Sequence, residues 1–455
     1  MRKTACASST KCGWTTGAVL PSPGSESLRG RRVTVQALGC RTNLAEAEAL
    51  ASAFQRRGAL IVDEPPYDAA VIVTCSVTAA ADRKSRQLIN RCRRAGKNVC
   101  VAVCGCWAQG VGEKKAAAMG VDLLIGNRLK SELPGRVAQW LAGHKRPFEA
   151  VRGGMGRKWD ALELERSPYF GRAFVKVQDG CDHRCTYCIV PVLRGPSVSR
   201  PAADILAEAR RCAAAGQFEL ILTGVHLGLF GRDSGESFAG LIRELDKIEG
   251  IKRLRFGSLE PFSIGDDLLE ALAQSPRFCR HLHLPVQSGD DEILRRMGRG
   301  HTAADYLKLV ERLRAALGSD LHISTDVMCA FPGESETAFE NTLALLKAAR
   351  VGRVHGFRYS PRPGTPAAAM SGQIPAEIAL ARAERLKKAG RECLAAEARR
   401  WIGREVEVLF EGRQRGHAQG YTRGYFEFRP EKESIYDELR KMTVISSKNG
   451  VLWGR

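Results

Sequence analysis

The chain lacks any run of about eighteen apolar residues, so no segment reads as a membrane-spanning helix. No secretory leader is expected either. The first 32 residues are rich in Ser, Thr, Gly, Arg and Lys, and their longest apolar piece, near Ala18–Leu20, is far shorter than a signal-peptide core. Residues 1–32 are therefore expected to be a disordered extension on a cytoplasmic protein. Acidic residues are in deficit, with 50 Asp and Glu against 70 Lys and Arg, a formal charge of +20. That surplus suits a polyanionic partner, of which RNA is the abundant intracellular case, although a solvated basic surface accounts for part of it. No tandem repeat is visible. What remains is an ordinary globular composition, with 44% hydrophobic residues and a mean hydropathy of −0.22, in a chain of 455 residues that is long enough for two or three domains.

Cysteine is the residue in excess. Fifteen are many for a reducing compartment, where a disulfide framework is not expected and clustered thiols point to metal or redox chemistry. Cys92, Cys212 and Cys393 fall in helical patterns, and Cys100 and Cys329 in apolar strand-like runs, where free cysteine acts as a small hydrophobe.

The strand-like runs VTVQAL (33–38), AAVIVT (69–74), VCVAV (99–103) and VDLLIG (121–126) alternate with helical segments. This pattern predicts a small α/β domain with a mainly parallel sheet over 33–145. Cys40, Cys75 and Cys106 each lie just past one of the first three strands. Ligands of open α/β sheets gather outside the carboxyl ends of the strands, so these three thiols are candidates to converge. Cys104 competes with Cys106, and spacing does not choose between them. A linker is expected over 146–172. Six further strand–helix units over 173–374, too few for a closed eightfold barrel, predict a partial (β/α)6 TIM-like barrel. A basic helical connector (375–403) and a small β-barrel (404–455) complete the chain.

The stretch QDGCDHRCTYCIVP (178–191) follows the first barrel strand. Zinc sites made from cysteine usually close with four ligands, and no second Cys-x-x-Cys pair lies nearby, although His183 is available. Three cysteines suit a 4Fe–4S cluster with one open iron. The spacing of Cys181, Cys185 and Cys188, with aromatic Tyr187 before the last, resembles the radical S-adenosylmethionine (SAM) signature. ALGCRTNLAEAE, TCSVTAAADRKSRQ and CGCWAQ resemble the N-terminal domain of the methylthiotransferases of that superfamily, as do GSLEP, LHLPVQSGDDEILRRMGRGHT, FPGE and YSPRPGTPAA further along. The terminal β domain resembles the RNA-binding TRAM domain.

The resemblance implies two 4Fe–4S clusters, one on Cys181, Cys185 and Cys188 that binds SAM, and an auxiliary one on Cys40, Cys75 and Cys106. It also makes Cys106, followed by Trp-Ala-Gln, the third auxiliary ligand. Branches of the family act on isopentenyladenosine in tRNA, on threonylcarbamoyladenosine in tRNA, or on an aspartate of a ribosomal protein. The TCSVTAAADRKSRQ block looks most like the threonylcarbamoyladenosine branch. The alternative from another class is a non-catalytic iron–sulfur or zinc RNA-binding protein. Val73, Val192–Leu193 and Ala330 depart from the family pattern, which often has Asn, Tyr-Ala and Gly at these places.

Cofactor-binding candidates are Tyr187, near the cofactor adenine or simply packed at the barrel mouth, and Gly224 and Val225 after the second barrel strand. Ser258, Glu260, Gln287 and Asp326 follow strands three to five, where polar groups meet ligands. RNA-binding candidates are Tyr421, Tyr425, Phe426 and Phe428 among Arg413, Arg415, Arg423 and Arg429, with about half of the aromatics reserved for a core, together with Arg83, Lys84 and Arg86 beside the auxiliary site. The expected partners are a tRNA anticodon stem-loop, an electron donor such as flavodoxin or ferredoxin, and a sulfur donor. No membrane association is expected, and the chain is expected to be a monomer.

Overall fold

The structure is a computed structural model that describes residues 28–143, 148–167, 171–414, 417–431 and 439–455, with side chains 412–414 and 417 not described. The expected disordered extension lies outside the described residues over 1–27, and the side chains of Arg413 and Arg415 lie outside them as well.

The N-terminal sheet has six parallel strands in the order Leu60–Ile61, Arg32–Ala37, Ala69–Thr74, Cys100–Gly105, Leu123–Ile125 and Glu149–Val151. The two edge strands are too short to carry a periodic signal, and the last one falls where the sequence suggested a linker. The central strands Ala69–Thr74 and Cys100–Gly105 are buried along their whole length, as continuous apolar runs in a sheet covered on both faces should be. Helix Ala79–Arg94 forms because Thr78 caps it, accepting from the Ala81 amide, and because Ser85, Leu88, Ile89 and Cys92 make one buried stripe at helical spacing. Three arginines in its last turn complement the helix dipole.

Helix Arg41–Arg56 differs. It buries Thr42, Asn43, Glu46 and Glu48 as well as Leu50, Phe54 and most of its alanines, because it lies between the first sheet and the second domain. Ala45 packs with Phe174 and Ile221 of the barrel.

The second domain is an open arc of six parallel strands in two sheets. One runs Arg253–Phe256, Glu219–Thr223, Arg172–Lys176, and the other His281–His283, His322–Cys329, Arg353–Arg358. Single bridges, Leu254 to Phe278 and Ser258 to His283, join the halves. Helices Ala202–Ala214, Phe238–Leu245, Asp266–Gln274, Ala303–Leu317 and Glu336–Ala348 cover the outside. The long helix Ala376–Arg399 packs against the last strand, where Gly356 lies too close to Leu386 for a side chain.

The C-terminal strands Glu405–Gln414, His417–Thr422, Glu427–Pro430, Val451–Gly454 and Leu439–Lys448 close into a barrel. Phe426 and Phe428 are fully buried in its core with Val408, Phe410, Val444 and Leu452. The barrel is docked firmly onto the central domain. Arg253, fully buried, pairs with Glu219 and reaches Glu407 at 2.8 Å. Arg255 donates to the Thr422 and Arg423 carbonyls, and His322 Nδ1 lies 2.6 Å from the Gly424 oxygen.

Candidate active site

Cys40 is the N-cap of helix Arg41–Arg56, Cys75 follows strand Ala69–Thr74, and Cys106 opens the short helix Cys106–Gly110. All three sit at the carboxyl edge of the sheet. Gly39 has φ +101, and a Cβ there would lie 2.6 Å from Cys75 Sγ, so only glycine lets the first loop approach the second. Asn43 fastens the same loops, donating to the carbonyls of Leu38 at 2.6 Å and Thr74 at 3.0 Å. Burial pushes the Cys75 thiol up to about 12, and the charges of Cys106 and Cys40 push the same way. Cys104 points into the apolar core instead, with Val71, Val73 and Ile125. The edge therefore gathers Cys106 and not Cys104.

Cys181, Cys185 and Cys188 share one half-buried loop after the first barrel strand. Gly180, at φ +72, lets that loop pass against the Pro196 carbonyl, which a Cβ would meet at 2.1 Å. The loop is anchored from outside, with the Thr186 amide donating to the Met297 oxygen at 3.0 Å and the Thr186 hydroxyl to the Arg296 oxygen at 2.8 Å. Burial raises Cys181 to about 11 and Cys188 to about 12. His183 is stacked on His226, with ring centroids 4.8 Å apart, and tilted against Phe262.

Among the described residues, no three His, Cys, Asp or Glu side chains close on a point as one chelated ion requires. Two triads of thiols are instead the donor set of iron–sulfur clusters, whose irons occupy separate corners and accept thiolates that do not converge. Both triads fit that group. Burial holds the Cys75, Cys106, Cys181 and Cys188 thiols above their ordinary range, so iron would displace their protons on binding.

The other expected residues are placed as follows. Tyr187 lies in an apolar cluster with Phe331, Met328 and Met297, its ring edge-on to Phe331. Gly224 backs onto Gln178, and its carbonyl accepts from Thr42 of the N-terminal domain at 3.2 Å; Val225 beside it is half-buried. Ser258 is half-buried at the bridge to His283. Glu260 is paired with Arg299, whose guanidinium also reaches Cys185 Sγ at 3.6 Å and the Pro285 oxygen at 3.0 Å. Gln287 sits in the left-handed region at φ 70 with its buried Oε1 unpartnered, a strained, polar position of the kind found at ligand sites. Asp326 faces His283 Nε2 at 3.3 Å, and against the upward push of burial this neighbour holds its carboxyl below the usual range.

Arg83 and Lys84 are exposed and Arg86 half-buried in the second turn of helix Ala79–Arg94, which begins four residues after Cys75. Arg423 and Tyr425 differ from their expected place on an RNA-facing surface. Arg423 donates to the Pro276 carbonyl at 2.7 Å. The Tyr425 ring is enclosed by the guanidiniums of Arg41, Arg255 and Arg353, at 5.0, 4.6 and 5.7 Å, which with Arg172 bring its hydroxyl down to about 8 against burial. Both residues belong to the seam between the small barrel and the central domain.

The residues that sequence reading missed lie between the triads. Arg194, almost fully buried, donates to Glu46 Oε1 and Asp179 Oδ1 at 2.9 Å each, to Asn43 Oδ1 at 2.6 Å and, through Nε, to Cys106 Sγ at 3.4 Å. Lys130 and Lys176 complete the cluster on Glu46 at 3.2 and 2.7 Å. Cys106 also packs with Ile189, directly after the second triad, and with Leu193 on the short helix Val190–Arg194 that follows. The two thiol sites thus meet across one interface.

The chain matches the Radical SAM superfamily over residues 175–346 and the Uncharacterized protein family UPF0004 over 32–126. It is 32% identical to the threonylcarbamoyladenosine tRNA methylthiotransferase of Thermotoga maritima over 87% of this chain and 90% of that protein. This chain belongs to the radical SAM methylthiotransferase family. Two 4Fe–4S clusters and SAM are its cofactors, and its enzyme class is that of the family. A tRNA-2-methylthio-N(6)-dimethylallyladenosine synthase of Cereibacter sphaeroides is 37% identical over 86% and 90% of the two chains. Among solved structures, a radical SAM methyltransferase from Kitasatospora setae, determined with cobalamin and a 4Fe–4S cluster bound, superposes with a TM-score of 0.54 over 74% of this chain and 77% of that one. At 16% identity that likeness is one of fold. Among the described residues no helix is long and apolar enough to cross a membrane.

Proposed function

We propose that this methylthiotransferase acts on tRNA, placing a methylthio group on C2 of threonylcarbamoyladenosine beside the anticodon. The observation that carries the reading is the meeting of the two thiol triads at one interface through Cys106, Arg194 and Asp179. A reaction that joins a radical at an unactivated carbon to a sulfur donor needs both centres at one substrate. Cys181, Cys185 and Cys188 would hold the SAM-binding cluster and Cys40, Cys75 and Cys106 the auxiliary one; when bound, these would supply the electron for cofactor cleavage and the sulfur, respectively.

The chain's own groups then orient and enclose. Glu260, Gln287 and Asp326, with Ser258, Gly224 and Val225, line the barrel mouth as cofactor contacts, and Tyr187 supports the cluster loop from its apolar side. Arg83, Lys84 and Arg86 offer charge to RNA phosphates next to Cys75. The TCSVTAAADRKSRQ block supports the threonylcarbamoyladenosine branch. It forms the rim of the auxiliary site and is closed by the YSPRPGTP loop, where Arg362 donates to Ser76 at 3.0 Å and Asp82 at 2.8 Å. A second reading, dimethylallyladenosine as substrate, is favoured by the 37% identity to synthases of that name. A flavodoxin- or ferredoxin-like reductant, a sulfur donor and a monomeric cytoplasmic enzyme complete the proposal.

The test is mass spectrometry of tRNA nucleosides from a host lacking its own copy, with and without this gene. Appearance of 2-methylthio-threonylcarbamoyladenosine is the expected result. Conversion of isopentenyladenosine instead would transfer the enzyme to the second reading, and no change in any nucleoside would overturn the tRNA reading.

A further inference from the structure

We infer that Arg194 is a positioning residue that locks the auxiliary site to the SAM-cluster loop and sets the reduction potential of the auxiliary cluster. The inference rests on the assignment of that cluster to Cys40, Cys75 and Cys106. Each edge of the one guanidinium has a different address. Nε donates to Cys106 Sγ at 3.4 Å; Nη2 donates at 2.6 Å to Asn43, whose own amide fastens the Cys40 and Cys75 loops together. Nη1 donates at 2.9 Å to Asp179, two residues before Cys181, and at 2.9 Å to Glu46 on the helix that Cys40 caps.

Such a fork suits arginine, whose planar donors point in fixed directions. Ion pairing alone does not account for it, because Glu46 is also met by Lys130 and Lys176, and Asp179 by Lys176 and Arg128. What ion pairing leaves over is the Cys106 sulfur, which Arg194 reaches through Nε, and Asn43 Oδ1, which it shares with the Cys40 thiol at 3.8 Å. A buried positive charge and an N–H···S bond at a ligand thiolate favour the reduced, more negative cluster and so raise its potential. Nothing equivalent reaches Cys181 or Cys188 from Arg194, so the effect is confined to one cluster.

The test is an EPR-monitored redox titration of the reconstituted full-length chain in two backgrounds. In one the three cysteines of the SAM-cluster loop are replaced by Ala, so that only the auxiliary cluster is read; in the other Cys40, Cys75 and Cys106 are replaced. Arg194→Lys keeps charge for Glu46 and Asp179 but loses the bonds to sulfur and Asn43, and it guards against the chance that Arg194→Gln fails to fold. The expected result is a lower auxiliary potential in Arg194→Lys, lower still in Arg194→Gln, with the SAM-cluster potential unmoved. An unchanged auxiliary potential in Arg194→Lys, or equal shifts of both clusters, overturns the inference. Failure of the first background to hold any cluster with Arg194 intact overturns the auxiliary assignment itself, and with it this inference, and is recognised from iron and sulfide content before any titration.

Discussion

Cys181, Cys185 and Cys188 come from one loop, whereas Cys40, Cys75 and Cys106 are collected from the ends of three parallel strands. The first triad needs little beyond its own turn and the anchors at Met297 and Arg296. The second exists only when the sheet is paired in register, when Gly39 lets two loops touch and when Asn43 ties them. The local site is half-exposed throughout; the assembled site buries Cys75 and Cys106, leaves Cys40 exposed, and borrows its rigidity from a whole domain. Damage to the N-terminal fold is therefore expected to reach one cluster and spare the other.

The sharpest way to break this comparison is to remove one ligand from each triad. Cys185→Ala is expected to abolish formation of 5′-deoxyadenosine, read by chromatography, whereas Cys75→Ala keeps that cleavage and loses all thiolation. Retained thiolation in Cys75→Ala would contradict the auxiliary assignment. Gly39→Ala should act nearly as strongly on the assembled site alone. Its new methyl group meets Cys75, so iron is expected to fall from about eight to about four atoms per chain, with cofactor cleavage intact; an unchanged iron content would show that the loops can part.

Between the sites, Glu46→Ala leaves Arg194, Lys130 and Lys176 short of a buried partner and is expected to cost about 3–5 kcal/mol in denaturant unfolding. The pH dependence follows from its sign. Against burial, the three cations hold the Glu46 carboxyl well below the usual range in the folded chain. The advantage over Glu46→Gln is therefore full above the unfolded value of about 4.3 and shrinks as pH falls below it. A gap that widened in acid would refute the assignment of charge. The smallest effect belongs to Ala330, which occupies the left-handed region at φ 60 where glycine is at ease. Ala330→Gly is expected to stabilise the chain by about 0.5–1 kcal/mol, seen as a small rise in melting temperature.

Much of this was legible in the sequence because its signals were local. The spacing of Cys181, Cys185 and Cys188 lies within one turn, and strand ends mark Cys40, Cys75 and Cys106 through runs of buried aliphatics. Spacing alone did not choose between Cys106 and Cys104; the family resemblance did. The fold gives the physical reason, because Cys104 lies within the strand and packs into the core while Cys106 opens the helix past the strand end. Arg194, Arg299, Asn43 and Glu46 were illegible because their meaning is their long-range neighbours; Glu46 reads as the exposed face of a helix until a second domain covers it. Edge strand Glu149–Val151 is too short to show a period. Tyr425 among its neighbouring arginines has the composition of an RNA-binding surface, and only the docked barrel reveals that the guanidiniums around its ring are those of Arg41, Arg255 and Arg353.

That docking has a consequence for how a long, stiff substrate is received. With Arg253, Arg255 and His322 holding the strands and turn of the small barrel, the C-terminal domain is not a tethered hand that searches for RNA and then folds over it. It is a fixed jaw, and the span from its surface to the thiol triads works as a gauge. On the proposed tRNA reading, an RNA seated against that jaw would present to the thiol triads whichever base lies at that one distance, so selection of the base would be set by measurement as well as by chemistry.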